Sequence, residues 1–406
     1  MDEAYRDRGV QPESGAAPTT SVLDAPGKPV WALGLMSGTS LDGIDAALIR
    51  TDGETIHATG ASVFFPYAAE ELSALRRVMA DPLALRDTGA PEAEALLAAA
   101  VGEVEEAHAR VAAGLIARAP AVEAPALVGF PGQTVAHAPE QGWTWQLGDG
   151  APLARALNRP VVFDFRSADV AAGGEGAPLA PFFHYAALRG AGIDGPVAVL
   201  NIGGVANVTL VDPGADDALG GVITAFDTGP GNALINDWMA ARVGRALDHN
   251  GAAAASGADR ASALAQRFET NFVVDFQRRS GPKSLDRNAF NRLPALIAEA
   301  NTEAGAAALT RFTVDCVAAA ERVLQPQPQR WLVCGGGRHN PTMMRWLAEA
   351  LAAPVDPVEA VGLDGDMLEA QAFAYLAVRV LRGLPTSAPA TTGARHPVCG
   401  GRLAQP

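Results

Sequence analysis

A duplicated α/β architecture with a cleft between its halves is what this sequence predicts, on three observations. The strand VWALGLM, the polar turn SGTSLDG and the strand IDAALIR are echoed in the second half of the chain by VAVLNI, GGVAN and VTLVD. Each group runs on into a third apolar segment and then into helical sequence, the signature of a repeated unit. Hydrophobic residues make up 49% of the 406 and charged residues 19%, enough apolar material for a large core and too little charge for a disordered chain. At this length two or three domains are expected.

The elements follow in order. Residues 1–28 are rich in Pro, Gly, Ser and charge with no apolar periodicity and read as a flexible leader. From Val30 a buried strand, a polar turn and a second, alternating strand form a hairpin, followed by a third strand around His57 to Phe65. Helices are predicted near Ala68 to Met79 and from Pro91 to Ala117, the latter with Leu96, Leu97, Val101, Val104 and Val111 spaced for one apolar face. The strand ALVG leads into PGQTVAH. The second unit begins near residue 197; GVITAF then runs into DTGPGNALINDWMAARV, a helix-rich stretch reaches about residue 325, and WLVC, the turn GGGRHN and helices from about Pro341 and Asp366 complete the chain.

Lys and Arg number 31 against 45 Asp and Glu, a net charge of −14, which repels phosphate backbones and argues against a nucleic-acid partner. An anionic ligand must then be held locally, by backbone N–H groups, helix N-termini or a metal ion. Lys283 is the single lysine outside the leader, which holds Lys28. Cys316, Cys334 and Cys399 show no metal-finger or CxxC spacing, in keeping with a reducing cytoplasm. Neither a signal peptide nor a membrane span is legible, so a cytoplasmic protein without a membrane partner is expected.

No GxxxxGK[ST], GxSxG or HExxH motif is present, which removes the P-loop, esterase-elbow and zinc-protease routes. Three glycine turns remain, each after a strand. SGTSLDGID offers backbone N–H groups, the hydroxyls of Thr39 and Ser40 and the carboxylates of Asp42 and Asp45, parts that suit nucleotide phosphates and Mg²⁺ and equally an ordinary hairpin turn. NIGGVANVT places Gly203 and Gly204 where a phosphate can approach, and in CGGGRHN three glycines leave room for a flat ring or ribose while Asn340 precedes Pro341 at a helix start. The segment FDFRSADVAAGGEGAPLAP sets Asp164 and Asp169 around Arg166; a carboxylate beside an arginine suits a general base and suits a structural ion pair. FDTGPGN puts Asp227 at a strand end, and GQTVAH supplies Gln133, Thr134 and His137, hydrogen-bonding groups matched to a sugar.

Together, in this order, GLMSGTSLDGIDAAL, GQTVAH, QLGDG, DFRSADVAAGGEGAPLAP, NIGGVANVT, FDTGPGN, CGGGRHN, GDMLEAQAFAYLA and TTGA resemble the anhydro-N-acetylmuramic acid kinases of the sugar-kinase and actin superfamily. The resemblance runs from about residue 30 to the C-terminus. It implies two ribonuclease-H-like domains around a central cleft, an actin and hexokinase-like duplicated fold, with residues 29–165 in the first domain and 166–406 in the second. Part of the C-terminal helix region returns to the first domain in that arrangement. It implies ATP, Mg²⁺ and a small amino sugar as partners, a homodimer being left open, and a reaction in which the 1,6-anhydro ring is hydrolysed while O6 takes the γ-phosphoryl group.

Carried over by position, the resemblance makes Gly38, Thr39, Ser40, Leu41, Asp42, Gly43, Ile44 and Asp45 the first phosphate loop, with Asp42 toward the metal. Gly203, Gly204 and Asn207 fall in the second loop, and Gly335, Gly336, Gly337 and Asn340 on the nucleoside side. Gln133, Thr134, Arg166 and Asp227 become sugar contacts, and Asp169 matches the catalytic aspartate that activates water, with Asp164 in reserve. Pro131 stands where the family often has His, and Leu285 and Asp286 where it often has Thr and Gly. Two other readings stay open: a kinase of the same fold acting on an ordinary sugar hydroxyl, and an actin-like ATP switch, for which Gln133, Asp169 and Asp227 are more polar chemistry than is needed.

Overall fold

The computed structural model describes residues 27–68, 72–86, 90–279, 281–285 and 287–406. The predicted leader lies outside these residues except for Gly27 and Lys28, as do residues 69–71 of the first predicted helix and Asp286.

Two sheets carry the repeat. In the first, β1 (Val30–Met36), β2 (Gly43–Thr51) and β3 (Ile56–Pro66) form an antiparallel meander, and β4 (Leu127–Phe130) and β7 (Val161–Phe163) add in parallel on the other side of β1. In the second, β8 (Val197–Ile202), β9 (Val205–Val211) and β10 (Val222–Pro230) form the meander, with β11 (Arg330–Cys334) and β12 (Val355–Pro357) parallel beside β8. Third, second, first, fourth, fifth is therefore the strand order in both, with the second strand reversed. The duplicated ribonuclease-H-like fold is present in the hydrogen bonding itself. A small hairpin of β5 (Gln133–Ala138) and β6 (Trp143–Leu147) inserts into the first half, so GQTVAH is strand and not loop.

Besides β5, β6 and β7, two short edge strands escaped the sequence reading. Pro354 and Pro357 bracket β12, and proline is tolerated only where a sheet needs no further donor, at its edge. The last strand, β13 (Arg402–Ala404), pairs antiparallel with β7 and so ends the chain on the first sheet.

What joins the halves is the helix Leu368–Leu381. It packs across β1, β2 and β4 of the first sheet, and a single buried cluster links its Leu368, Ala372, Phe373 and Leu376 to Ala32 and Leu127 of that sheet and to Val197, Val199 and Leu332 of the second. The approach on the first sheet is backbone to backbone. A Cβ on Gly34 would lie 2.9 Å from the Ala370 carbonyl carbon, and one on Gly129 would lie 2.8 Å from that of Phe373. Helix Pro181–Gly190 fills the same layer, its Phe182, Phe183 and Tyr185 all buried.

Because neither backbone can yield, Gly34→Ala and Gly129→Ala are each expected to lower stability by about 1–3 kcal/mol, the usual cost of overpacking. Denaturant unfolding checks this, and unchanged midpoints would show that the helix seat is loose.

Candidate active site

The first turn closes through Leu41 N–H donating to the Gly38 carbonyl at 3.2 Å, with Leu41 in the left-handed region at φ 53°. Ser40 Oγ donates to Asp42 Oδ1 at 2.7 Å, and Gly38 meets only Ser40 Oγ, at 3.4 Å from where its Cβ would be, which leaves its backbone open to a ligand. Thr39 sits in the same turn. Three neighbours expected at the nucleotide do other work. Gly43 is required because a Cβ would lie 2.6 Å from the Phe64 ring; Ile44 is fully buried in the first core; and Leu41 packs its side chain against that core.

The second turn is braced from outside. Gly231 N–H donates to the Gly204 carbonyl at 2.9 Å and Asn232 N–H to that of Gly203 at 2.7 Å, so the FDTGPGN turn holds the NIGGVAN turn in place. Asn232 Nδ2 also donates to the Ile202 carbonyl at 3.0 Å and faces Gly336 of the third turn. In that third turn the glycines differ. Gly335 is left-handed at φ 73° against Ile202, and Gly337 packs on the Ile202 side chain, so only Gly336 fronts open space. Asn340 also serves the helix: its Oδ1 accepts from Met343 N–H at 3.0 Å and caps the helix Pro341–Ala350, the ordinary use of Asn before Pro.

The second and third turns reach the start of the Leu368–Leu381 helix, and the carboxylates of the first motif lie within range of its charge. Asn201 Nδ2 donates to Glu369 Oε1 at 3.2 Å, and Arg338 of the third turn pairs with Asp366 and with Glu359, each at 2.8 Å. Asp45 is pushed up to about 7 by burial and by the negative charges of Glu369, Asp42, Asp366 and Asp364. Burial also raises the Glu369 carboxyl, against the pull of Arg166 and Asn201. This corner is short of positive charge.

Across the second sheet, Cys334, Asn201, Asn207 and Asp227 stand side by side on β11, β8, β9 and β10. Partners directly opposite share a face, and these four face a cavity of about 120 Å³ that Arg166, His184 and Glu369 also line. Arg166 Nη1 donates to the Gly176 carbonyl at 2.7 Å while its buried Nε has no partner among the described residues. His184 is held neutral, pushed down to about 4 by burial, with Nδ1 on Thr209 Oγ1 at 3.1 Å. Asp227 accepts from Leu285 N–H at 2.7 Å, and burial pushes its carboxyl up to about 7. Beside it, buried Lys283 donates to the Phe276 and Arg279 carbonyls at 2.8 and 3.0 Å and lies over the Phe276 ring.

Gln133 is buried next to the first turn, its Nε2 3.4 Å from the Gly38 carbonyl and its Oε1 without a partner among the described residues. Thr134 Oγ1 accepts from Gln146 at 3.2 Å and His137 Nδ1 meets Thr144 Oγ1 at 2.9 Å. Asp169 is fully buried: Oδ1 accepts from Ser387 Oγ and from Thr392 Oγ1, the latter at 2.6 Å, and Oδ2 from Gly176 N–H at 2.7 Å. Asp164 is half-buried in the left-handed region at φ 52°. Ser387, Thr392, Asn201, Asn232 and Glu369 were not singled out from sequence. Only Glu369 left a local signal, a carboxylate in the first turn of a helix.

Among the described residues no group of three His, Cys, Asp or Glu is arranged to hold a metal ion alone, and no helix is long and apolar enough to cross a membrane.

Asp227 gives a pH test. A carboxyl raised in the native state contributes stability that is fully present below its unfolded value near 4 and is lost as pH rises through about 7. Asp227→Asn should therefore flatten the fall in melting temperature between those limits, and an unchanged profile would show that the group does not titrate there.

A family model described as anhydro-N-acetylmuramic acid kinase matches residues 30–405. The chain is 49% identical over 380 residues to an anhydro-N-acetylmuramic acid kinase of Roseobacter denitrificans, covering 93% of this chain and 95% of that one. It is 50% identical over 383 residues to one of Cereibacter sphaeroides, covering 94% and 97%. Among solved structures, an inorganic polyphosphate/ATP-glucomannokinase from Arthrobacter sp. strain KM is similar at a TM-score of 0.35 and 18% identity, covering 87% of this chain and 99% of that chain.

Proposed function

The chain belongs to the anhydro-N-acetylmuramic acid kinase family, and from that premise we propose how its residues divide the work. It is a kinase of cell-wall recycling that hydrolyses the 1,6-anhydro ring of anhydro-N-acetylmuramic acid and phosphorylates O6, giving N-acetylmuramic acid 6-phosphate and ADP. The observation that carries the assignment is the meeting of the second and third glycine turns at one helix N-terminus, with Arg166 and Asp227 in the adjoining cavity and Gln133 against the first turn.

Backbone around Gly38, Gly203 and Gly204 takes the ATP phosphates and Gly336 lies toward the nucleoside, where uncrowded glycines permit close approach. Gln133, with its buried orphan oxygen, takes a sugar hydroxyl or amide, and Arg166 and Asp227 face the sugar from the opposite wall. The donor set at the first turn fits Mg²⁺, a hard cation that needs only one or two carboxylates besides phosphate oxygens and water. Asp42 and Asp45 would hold it, and its charge would offset that of the phosphates. An anhydro sugar has no free O6, so a water must add at C1. Asp169 is the base for that water, aligned by the cleft with the departing O6 and the γ-phosphorus. Its carboxylate has no exposed surface and is held on one oxygen by Gly176 N–H.

Two experiments test this. With ¹⁸O-labelled water the label should appear at C1 of the product and not in the phosphate; Asp169→Asn should bind ATP nearly normally yet lose on the order of 10²–10⁴ in turnover. Retained turnover in Asp169→Asn with loss in Asp227→Asn would transfer the role to Asp227, which lines the cavity and carries a carboxyl near 7. Asp42→Ala should raise the Mg²⁺ concentration needed for half-maximal rate while leaving sugar affinity unchanged. An unaltered Mg²⁺ dependence removes Asp42 from the metal.

A further inference from the structure

We propose that Ser387 and Thr392 decide which oxygen of Asp169 receives the proton, by occupying Oδ1 and leaving Oδ2 as the basic atom. The proposal rests on Asp169 being the base.

Each carboxylate oxygen has two in-plane lone pairs. On Oδ1 both are used, one by Ser387 Oγ and one by Thr392 Oγ1 at 2.6 Å. Ser387 Oγ has no other partner among the described residues, and the alternative acceptor for Thr392, the Ala388 carbonyl, is 3.5 Å away. Among the described residues Oδ2 accepts only from Gly176 N–H, at 2.7 Å, which leaves it one lone pair. Gly174 keeps space beside the carboxylate, since a Cβ there would lie 2.7 Å from Asp169 Cγ.

The two hydroxyls are themselves fixed. Thr386 N–H donates to the Val398 carbonyl at 2.7 Å and Val398 N–H to that of Ser387 at 2.9 Å, which closes the segment 386–398 on itself. The segment is then locked to the turn beneath it, through Glu175 N–H to the Thr392 carbonyl at 2.7 Å and Arg395 N–H to that of Ala172 at 3.1 Å. Neither Ser387 nor Thr392 touches solvent. Hydroxyls buried to this degree on a carboxylate orient it at a cost in mobility that a purely structural loop would not need.

The proton balance follows. As water oxygen bonds to C1, its proton passes to Oδ2; the C1–O6 bond breaks with its electron pair on O6; O6 bonds to the γ-phosphorus and ADP leaves. The proton on Oδ2 returns to solvent after product release. Ser387 and Thr392 are positioning residues in this scheme, acting through Asp169.

Steady-state kinetics with the full-length protein test it. Thr392→Val and Ser387→Ala should each lower kcat on the order of tenfold, with KM for sugar and ATP and the melting temperature little changed. Thr392→Ser, which restores the hydroxyl, should recover most of the rate. Thr392→Val should add nothing in an Asp169→Asn background, because the carboxylate it orients is gone. Gly174→Ala should lose turnover while still binding ATP. If Thr392→Val unfolds the protein, Ser387→Ala and Thr392→Ser carry the same test. Loss of turnover in Asp169→Asn with wild-type kcat in Thr392→Val and Ser387→Ala overturns the positioning role and leaves the base in place. Retention of turnover in Asp169→Asn overturns the base, and the positioning role with it.

Discussion

The contact on which the rest of the molecule depends is the seat of the Leu368–Leu381 helix on Gly34 and Gly129. Only glycine lets that helix approach the backbone of β1 and β4 so closely. From this seat the helix presents Glu369 to Asn201 of the second sheet, and Asp366, two residues before its start, pairs with Arg338. Its N-terminal end thereby borders the second and third glycine turns. A displacement of the helix would be felt at both turns, so a packing constraint deep in the first half bears on the geometry of the candidate site. Interiors transmit strain in this way because they are packed close to crystal density.

The fold was legible in the sequence because its signal is periodic and local. Two runs of strand, polar turn and strand predict two copies of one unit, and both copies have the same strand order. The site was legible only in part. Glycine turns announce themselves, but a sequence does not say which glycine fronts a ligand and which fronts a neighbour: Gly38 and Gly336 face open space, whereas Gly43 faces Phe64 and Gly337 faces Ile202. Asn340 was read both as a ligand contact and, from the following Pro341, as a helix start, and the cap it forms bears out the second. Ser387 and Thr392 lie 218 and 223 residues from Asp169 in sequence, within a Pro, Ser and Thr-rich stretch whose composition says only that it is a turn. Such a pairing is a property of topology, since β13 carries the chain end back to the first sheet.

Electrostatics ties the two levels together. A chain of net charge −14 gains nothing from long-range attraction for a phosphorylated ligand, and its site does not compensate with lysine. Lys283 is committed to two backbone carbonyls at the end of the helix Asn271–Arg278, and Arg338 to two carboxylates. In the cavity it shares with Asp227 and Glu369, Arg166 keeps its buried Nε unspent among the described residues.

That poverty of positive charge has a chemical consequence for the donor. On the proposed assignment, a triphosphate entering over Asp42 and Asp45 would meet the charges of Glu369, Asp366 and Asp364, and the negative field that adds to burial in raising Asp45 would oppose further negative charge. Backbone N–H groups supply partial positive charge only within hydrogen-bond reach, too short a range to draw the phosphates in. On the proposed assignment, entry would be favourable only for a nucleotide whose charge is already reduced by a bound cation, and the carboxylates that repel the bare triphosphate would be the ones that attract that cation. Discrimination between free and metal-bound nucleotide would then follow from what the corner lacks, with the glycine turns left to fix position after charge has decided entry.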